Sequence, residues 1–578
     1  MDSILKNKEK FILAGSFFII VLGTVFCDFN KFFDSELKSK WYWLYITVSV
    51  CGLLFLLVRR REILNPEPFG YWFILLFVYC FLRVITGQFV LSFLLPCILY
   101  FLICYLFFQI FQEQTFGYIS GSIVISAFFL ACHGIAQYVG LLHEGTHFRV
   151  VGNFNNPAGF ASMLAISVPF IFYFTLSGKR WMKYIAWFTY AVVGTAVVLS
   201  ASRVGMIAIA VSSFFYILKQ NKTFRESVVW KKVIFFLLIS TVLSGLYFIK
   251  KDSADGRILI WRCTLDMIRE KPLFGHGYKS FEAQYMLYQA RYFEQNPESE
   301  FALLADNVKH PFNEFLFLIT EFGLVSFLLL VFLVVILIRT YLQDQDEKSF
   351  ILMLAMAAIF ILSCFSYPFQ YPFTWLITGF SIAALSCKNN ERSHANRGFN
   401  FLILSSSIVL LVFTVKEVYY ESQWYNIVKQ SGLMRKQDVI SEYECLYPFM
   451  NKNAYFVYNY AAILRYNDPE KSTEMVIVCE KMLNDFDVQM LKADNYKKQR
   501  DFYKAKDGYV LASQMCPNRF VPLYELTNIY DSIKQPDIAL KIANEIINKP
   551  VKVPSATISA IKMKMKEKVE NQASSVNL

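Results

Sequence analysis

Apolar and polar positions alternate along this chain in long blocks, not in the short periods of a soluble domain. Runs close to spanning length, for which about 20 residues are needed, fall near 11–27, 41–58, 70–86, 89–110, 117–139, 157–177, 183–201, 203–218, 232–250, 313–338, 349–366, 372–387 and 399–415. They predict an all-α membrane bundle of about 12–13 spans, since the 70–110 region divides in more than one way. Met1 to Lys10 precede an apolar run with no small-residue cleavage pattern before Asp28, so the first run reads as a retained span. The blocks fail in two places, the loop 251–312 and everything after about 416.

The loop has its own pattern. Between Asp255 and Glu270, Ile258, Trp261, Leu265 and Ile268 form a helical stripe, and Pro272, Gly275 and Gly277 end it. This predicts an amphipathic helix at the membrane surface carrying Arg257 and Arg262. In the tail, Ser472, Ala505 and Ala539 recur about every 33 to 34 residues, as do Tyr496 with Tyr530 and Pro517 with Pro550. That period belongs to helix-turn-helix repeats, and the stretch from Pro517 to Val551 resembles a tetratricopeptide repeat. The expected layout is a transmembrane domain over 1–415 with an outer loop 251–312, followed by an α-solenoid of three to four repeats over 416–578.

Composition fixes the class: 56% hydrophobic, 17% aromatic and only 18% charged residues describe a polytopic membrane protein. The net charge of +12 does not point to nucleic acid, because the basic residues gather in short loops between apolar runs. Arg59 to Arg61, Lys179 with Arg180, the group from Lys219 to Lys232, and Lys388 to Arg397 occupy alternate loops, which the positive-inside rule assigns to the cytoplasm. Loops 28–40, 87–88, 140–156, the short turn at Ala201 and Ser202, 251–312 and 367–371 then face outward, and an odd span count puts the repeats outside with them. The cysteines form no CxxC or metal-ligand spacing, so neither a zinc site nor a disulfide framework is expected.

That topology gathers polar residues at one membrane face: Asn153, Asn155 and Asn156, Arg203, Arg257 and Arg262, Lys279, and His310 with Asn313. A transporter would instead place such groups near the bilayer midplane. Arginines at a bilayer edge suit a pyrophosphate, because the guanidinium offers forked donors and stays charged. In glycosyl transfer from a polyprenyl pyrophosphate, fixed cations can neutralise the departing pyrophosphate, so no metal or other cofactor is required. His310 has two candidate roles, taking the proton of an incoming hydroxyl or orienting the acceptor. Asn313, one turn on, can hold the ring or a sugar hydroxyl.

Four segments carry a resemblance to a known family: GNFNNPAGFA at 152–161, SRVG at 202–205, GRILIWRCTLDMIREKPLFGHG at 256–277 and HPFNEFLFLITEFGLVS at 310–326. Together they resemble the O-antigen ligase family, which includes protein O-oligosaccharyltransferases and polymerases, over about residues 10 to 390. The resemblance implies metal-independent transfer of a glycan from undecaprenyl pyrophosphate to an acceptor at the outer face of a bacterial inner membrane. The acceptor is a lipid A core, a protein or another glycan. The residues implied as functional are Arg203, His310 and one arginine of the loop helix, Arg257 being favoured over Arg262 because it stands four before Trp261. Asn153, Asn156, Lys279, Arg262 and Asn313 are expected to bind substrate. Phe312 stands where many members have a second His, and Ser326 where the pattern ends in Gly. The alternatives are a polymerase of the same superfamily and a polysaccharide or lipid transporter. The repeats point slightly to a protein partner.

Overall fold

The computed structural model describes residues 15–58, 63–64, 68–85, 89–110, 115–142, 148–220, 251–343, 345–386, 392–393, 397–432 and 435–576. The expected span at 232–250 and the basic group from Lys222 to Lys232 lie outside the described residues. The chain divides into two compact units. One contains the chain to residue 249 with 312–315 and 326–426, and the other contains 250–311, 316–325 and 427–578.

The first unit is an all-helical bundle. Its helices are α1 (Gly15–Phe26), α2 (Ser35–Val58), α3 (Pro68–Val84), α4 (Val90–Ile110), α5 (Thr115–Tyr138), α6 (Pro157–Thr175), α7 (Arg180–Leu199) and α8 (Arg203–Gln220). After the loop come α11 (Glu314–Gln343), which straddles both units, α12 (Glu347–Phe365), α13 (Pro372–Ser386) and α14 (Arg397–Gln430). Among the described residues, eight helices are long and apolar enough to cross a membrane: α4 to α8, α11, α12 and α14. α6 is apolar on every side, the mark of a helix wrapped by others: Phe160, Ala161, Leu164, Ala165, Ile166 and Val168 are all fully buried. A two-residue antiparallel pair, β1 (Ile63–Leu64) with β2 (Arg392–Ser393), joins two of the loops whose basic residues assign them to one membrane side.

α14 differs from the expected span 399–415. It runs for 34 residues, about 50 Å at 1.5 Å per residue, because no glycine or proline follows Gly398 until Gly432. Its extension packs on the start of α2 and the segment before it: Lys38 pairs with Glu421 at 2.5 Å, and the Phe33 and Trp424 rings are 4.3 Å apart. The same end holds other outward-assigned loops. Asn155 Nδ2 donates to Asp34 (3.5 Å), Asn153 Nδ2 to the Phe26 carbonyl (2.8 Å), and Trp41 Nε1 to the Gln370 carbonyl (2.8 Å).

The second unit is built from the loop and the repeats together. The loop supplies α9 (Lys251–Glu270) and α10 (Ser280–Gln295). After it come α15 (Lys436–Met450), the pairs α16 (Ala454–Leu464) with α17 (Pro469–Glu480), α18 (Phe486–Lys498) with α19 (Phe502–Met515), and α20 (Val521–Ser532) with α21 (Pro536–Asn548), and a closing α22 (Ala556–Val576). The three small residues that set the period, Ser472, Ala505 and Ala539, are all fully buried. Asp468, Asp485 and Asp501 cap the starts of α17, α18 and α19. Gly508 is small for a reason: a Cβ there would stand 2.9 Å from that of Ala493 on the paired helix.

α9 packs on protein with one of its two apolar stripes. Its packed face is Leu259, Ile260, Cys263, Thr264 and Met267, whereas Ile258 and Leu265 of the expected stripe are 48% and 43% exposed. The segment carries two apolar stripes, and periodicity alone does not say which one meets protein.

Candidate functional site

The first unit contributes the asparagine segment and Arg203. Asn156 caps α6, accepting from Gly159 N–H at 2.9 Å, while its Nδ2 donates to the Tyr371 and Tyr367 hydroxyls at 2.9 and 3.2 Å. Gln137 braces the segment from behind, accepting from Val151 and Gly152 N–H and donating to the Gly152 carbonyl. Gly159 is required there, because a Cβ would lie 2.4 Å from the Tyr371 ring. Arg203 opens α8 after a tight turn in which Ala201 takes a positive φ of 53°. A cation in a first helical turn opposes the helix dipole, and Gly205 N–H in that turn donates to Ser202 Oγ at 3.4 Å. Gly205 lets α8 approach α6, where a Cβ would come within 2.8 Å of Ala161, so the second and first motifs touch. Asn313 caps the start of α11: its Oδ1 accepts from Phe315 N–H and its Nδ2 donates to the Cys364 carbonyl, both at 2.9 Å.

The second unit contributes His310 and the loop arginines. Trp261 Nε1 donates to the Pro311 carbonyl at 2.8 Å, which ties α9 to the segment of His310. Arg257 lies four residues before Trp261 and so shares its helix face. Arg262 points elsewhere, its guanidinium lying 5.1 Å from the Tyr292 ring centre. His310 is 7% exposed, and its ring lies 4.7 Å from that of Phe317 at 31°, which fixes the imidazole plane. Phe312 has a φ of 54°, a left-handed turn that costs a non-glycine residue about 1–2 kcal/mol. Strain of this kind gathers at functional sites.

The Pro-Leu-Phe-Gly-His-Gly run docks into a break in α11. Gly323 has φ 78° and ψ 178°, so the helix opens there and its orphan groups need partners. The loop supplies them: His276 and Gly277 N–H donate to the Thr320 and Glu321 carbonyls at 2.8 and 2.9 Å, and Leu324 N–H donates to the Pro272 carbonyl at 2.8 Å. This mutual pairing explains why the two motifs occur together.

Sequence reasoning missed Glu282. Burial raises its carboxyl above the ordinary range, against the lowering pull of Lys279, Lys309 and His310. It also missed Lys40, fully buried, whose Nζ donates to the Glu36 carbonyl and lies 5.1 Å from the Phe154 ring centre. No residue spacing marks either one. The candidate residues thus form two sets. Arg203, Asn153, Asn156 and Asn313 belong to the bundle, while Arg257, Arg262, Lys279 and His310 belong to the unit of loop and repeats.

Fold and site define a polytopic helical membrane protein whose extramembrane loop carries arginines and a histidine on braced backbone. Residues 188–331 match the family model described as O-Antigen ligase. Arg203, Arg257, Arg262, Lys279, His310 and Asn313 all fall inside the matched residues, and Asn153 and Asn156 precede them. The match supports a glycan-transfer, ligase-like function. No curated protein matches the chain. Among solved structures, the crystal structure of yeast Tom70 is similar at 11% identity over 83% of this chain and 96% of that one, with a TM-score of 0.21, too low to bear on the fold.

Proposed function

We propose that this protein transfers a glycan from an undecaprenyl pyrophosphate donor to an acceptor hydroxyl at the outer face of a bacterial inner membrane, without a metal ion. The observation that carries this reading is the Trp261 to Pro311 hydrogen bond, which puts the Arg257 face of α9 beside the His310 segment within the family-matched stretch. In the proposed reaction the acceptor oxygen attacks the anomeric carbon and His310 takes its proton. The bond from that carbon to the pyrophosphate oxygen breaks, and the polyprenyl pyrophosphate leaves with the electron pair. Arg203 and Arg257 neutralise the charge that grows on it. Arg262 and Lys279 add cations near the donor. Asn153, Asn156 and Asn313 shape the sugar end, in addition to the caps and loop bonds they already make.

The test is a reconstituted assay with a lipid-linked oligosaccharide and either a lipid A core or an exported protein as acceptor. His310→Ala and Arg203→Ala are each expected to abolish transfer while leaving insertion intact, and a chelator is expected to change nothing. Undiminished transfer by both variants sinks the reading. A product in which the donor glycan is itself lengthened identifies a polymerase instead.

A further inference from the structure

We propose that the helical repeats are the mount of His310: the segment 303–309 is fastened to them along its length, so the repeats set where the imidazole stands. This rests on the role given to His310 above. The segment follows a short 3-10 turn, Glu300–Leu303, and has no regular hydrogen-bond ladder of its own, so its polar groups must find partners elsewhere. They find them mostly on the repeats. Asn518 Nδ2 donates to the Ala305 and Leu303 carbonyls at 2.7 and 3.3 Å, and Arg519 pairs with Asp306 at 2.9 Å. Asn307 Nδ2 donates to Asp487 at 2.9 Å, and its Oδ1 accepts from Phe486 N–H at 3.1 Å. Lys309 Nζ lies 4.5 Å from the Tyr455 ring centre, one residue before His310.

These anchors come from successive places on the solenoid: Tyr455 on α16, Phe486 and Asp487 on α18, and Asn518 with Arg519 between α19 and α20. A fully buried side chain on α10 locks strap and repeats to each other. Gln289 Nε2 donates to the Met515 carbonyl at 2.7 Å and the Asp306 carbonyl at 3.2 Å, while its Oε1 accepts from the Tyr285 hydroxyl at 3.0 Å. Both polar atoms of that amide are thus hydrogen-bonded, the nitrogen across the junction and the oxygen within α10. Glu282 adds a backbone tie, its carbonyl accepting from Asn484 N–H at 3.2 Å. Displacing a reacting group by 1 Å costs about 10²-fold in rate, so a segment held this way makes the repeats part of the catalytic scaffold. Gln289, Asn518 and Arg519 are its positioning residues.

The experiment compares the full-length protein with Asn518→Ala and Gln289→Met, measuring kcat and KM for the lipid-linked donor together with amide hydrogen exchange. The expected result is a tenfold or greater fall in kcat with KM held within twofold. Exchange should quicken at 303–309 while the amides of α9 and α16 keep their protection. The milder Arg519→Ala, at a half-exposed pair, should give a smaller change in the same direction. Quickened exchange with unchanged kcat overturns the proposal. So does exchange rising throughout the unit in all three variants, which would make these contacts ordinary stability. The exchange readout needs no activity: if His310→Ala is silent in the transfer assay, the functional reading fails while the mounting of the segment is still decided.

Discussion

At the scale of single residues, the two loop arginines separate by helix face. Arg257 shares a face with Trp261, which holds the Pro311 carbonyl, whereas Arg262 is exposed and spends its charge on the Tyr292 ring. Arg257→Ala is therefore expected to lower transfer by about 10²- to 10³-fold, the scale of losing one donor to a developing anion, and Arg262→Ala by only several-fold. Equal losses in the two variants would show that the face argument is wrong. Glu282 makes a different prediction. Its folded-state carboxyl is raised by burial, so its favourable contribution to stability is complete below the unfolded pKa of about 4.3 and is lost as pH rises through the higher folded value. Glu282→Gln removes that decline. Thermal unfolding followed across pH should show the variant gaining on the parent as pH rises out of the acid range, with a plateau at neutral pH, and a gain confined to acid would contradict the sign.

At the scale of elements, the break in α11 and the loop that fills it stand or fall together. A Cβ on Gly323 would sit 2.1 Å from the Leu273 carbonyl oxygen, and one on Gly275 would sit 2.5 Å from the Glu321 backbone. Both glycines also have φ between +66° and +78°. Gly323→Ala is expected to cost about 3 kcal/mol or more, since clash and backbone strain add. Gly256→Ala, inside α9 with open space around it, should stabilise by about 1 kcal/mol from helix propensity alone. Melting temperatures of the two variants check the pair. The elements differ in how well the sequence announces them. The spans were legible because burial in lipid demands unbroken apolar length, and the repeats because Ser472, Ala505 and Ala539 keep one period. The packed face of α9 was not, because Ile258 and Leu265 are as apolar as Leu259 and Ile260 and only the neighbours decide. The end of α14 was missed because hydropathy stops at 415 while the helical backbone does not.

At the scale of the whole molecule, the question left open by sequence was the side of the repeats, since a count wrong by one reverses it. Hydropathy cannot answer that, and neither can spacing: the bond from Gln289 to Met515 joins residues 226 apart whose types are unremarkable. Contacts can. The loop helices and the repeats form one compact unit, knit by hydrogen bonds such as Gln289 to the Met515 carbonyl and Asn518 to the Ala305 carbonyl, and they are expected on one side of a bilayer. Within the bundle, the extension of α14 packs on Phe33 and Lys38, at the end that also holds Asp34 with Asn155. The positive-inside rule assigns that end outward, so the expected outcome is an extracytoplasmic repeat domain with Lys179 and Arg180 on the cytoplasmic side. A native probe tests this. Cys445 on α15 is exposed, whereas every other cysteine among the described residues is buried or half-buried. A membrane-impermeant maleimide should label Cys445 in spheroplasts without permeabilisation, and Cys445→Ser should remove most of that label. Gly178→Cys, in the exposed turn beside Lys179, placed in the Cys445→Ser background, should take up the reagent only after permeabilisation. Labelling of Cys445 that requires permeabilisation would put the repeats in the cytoplasm. The loop that carries Arg257 and His310 would then be there too, away from the face where glycan transfer is proposed.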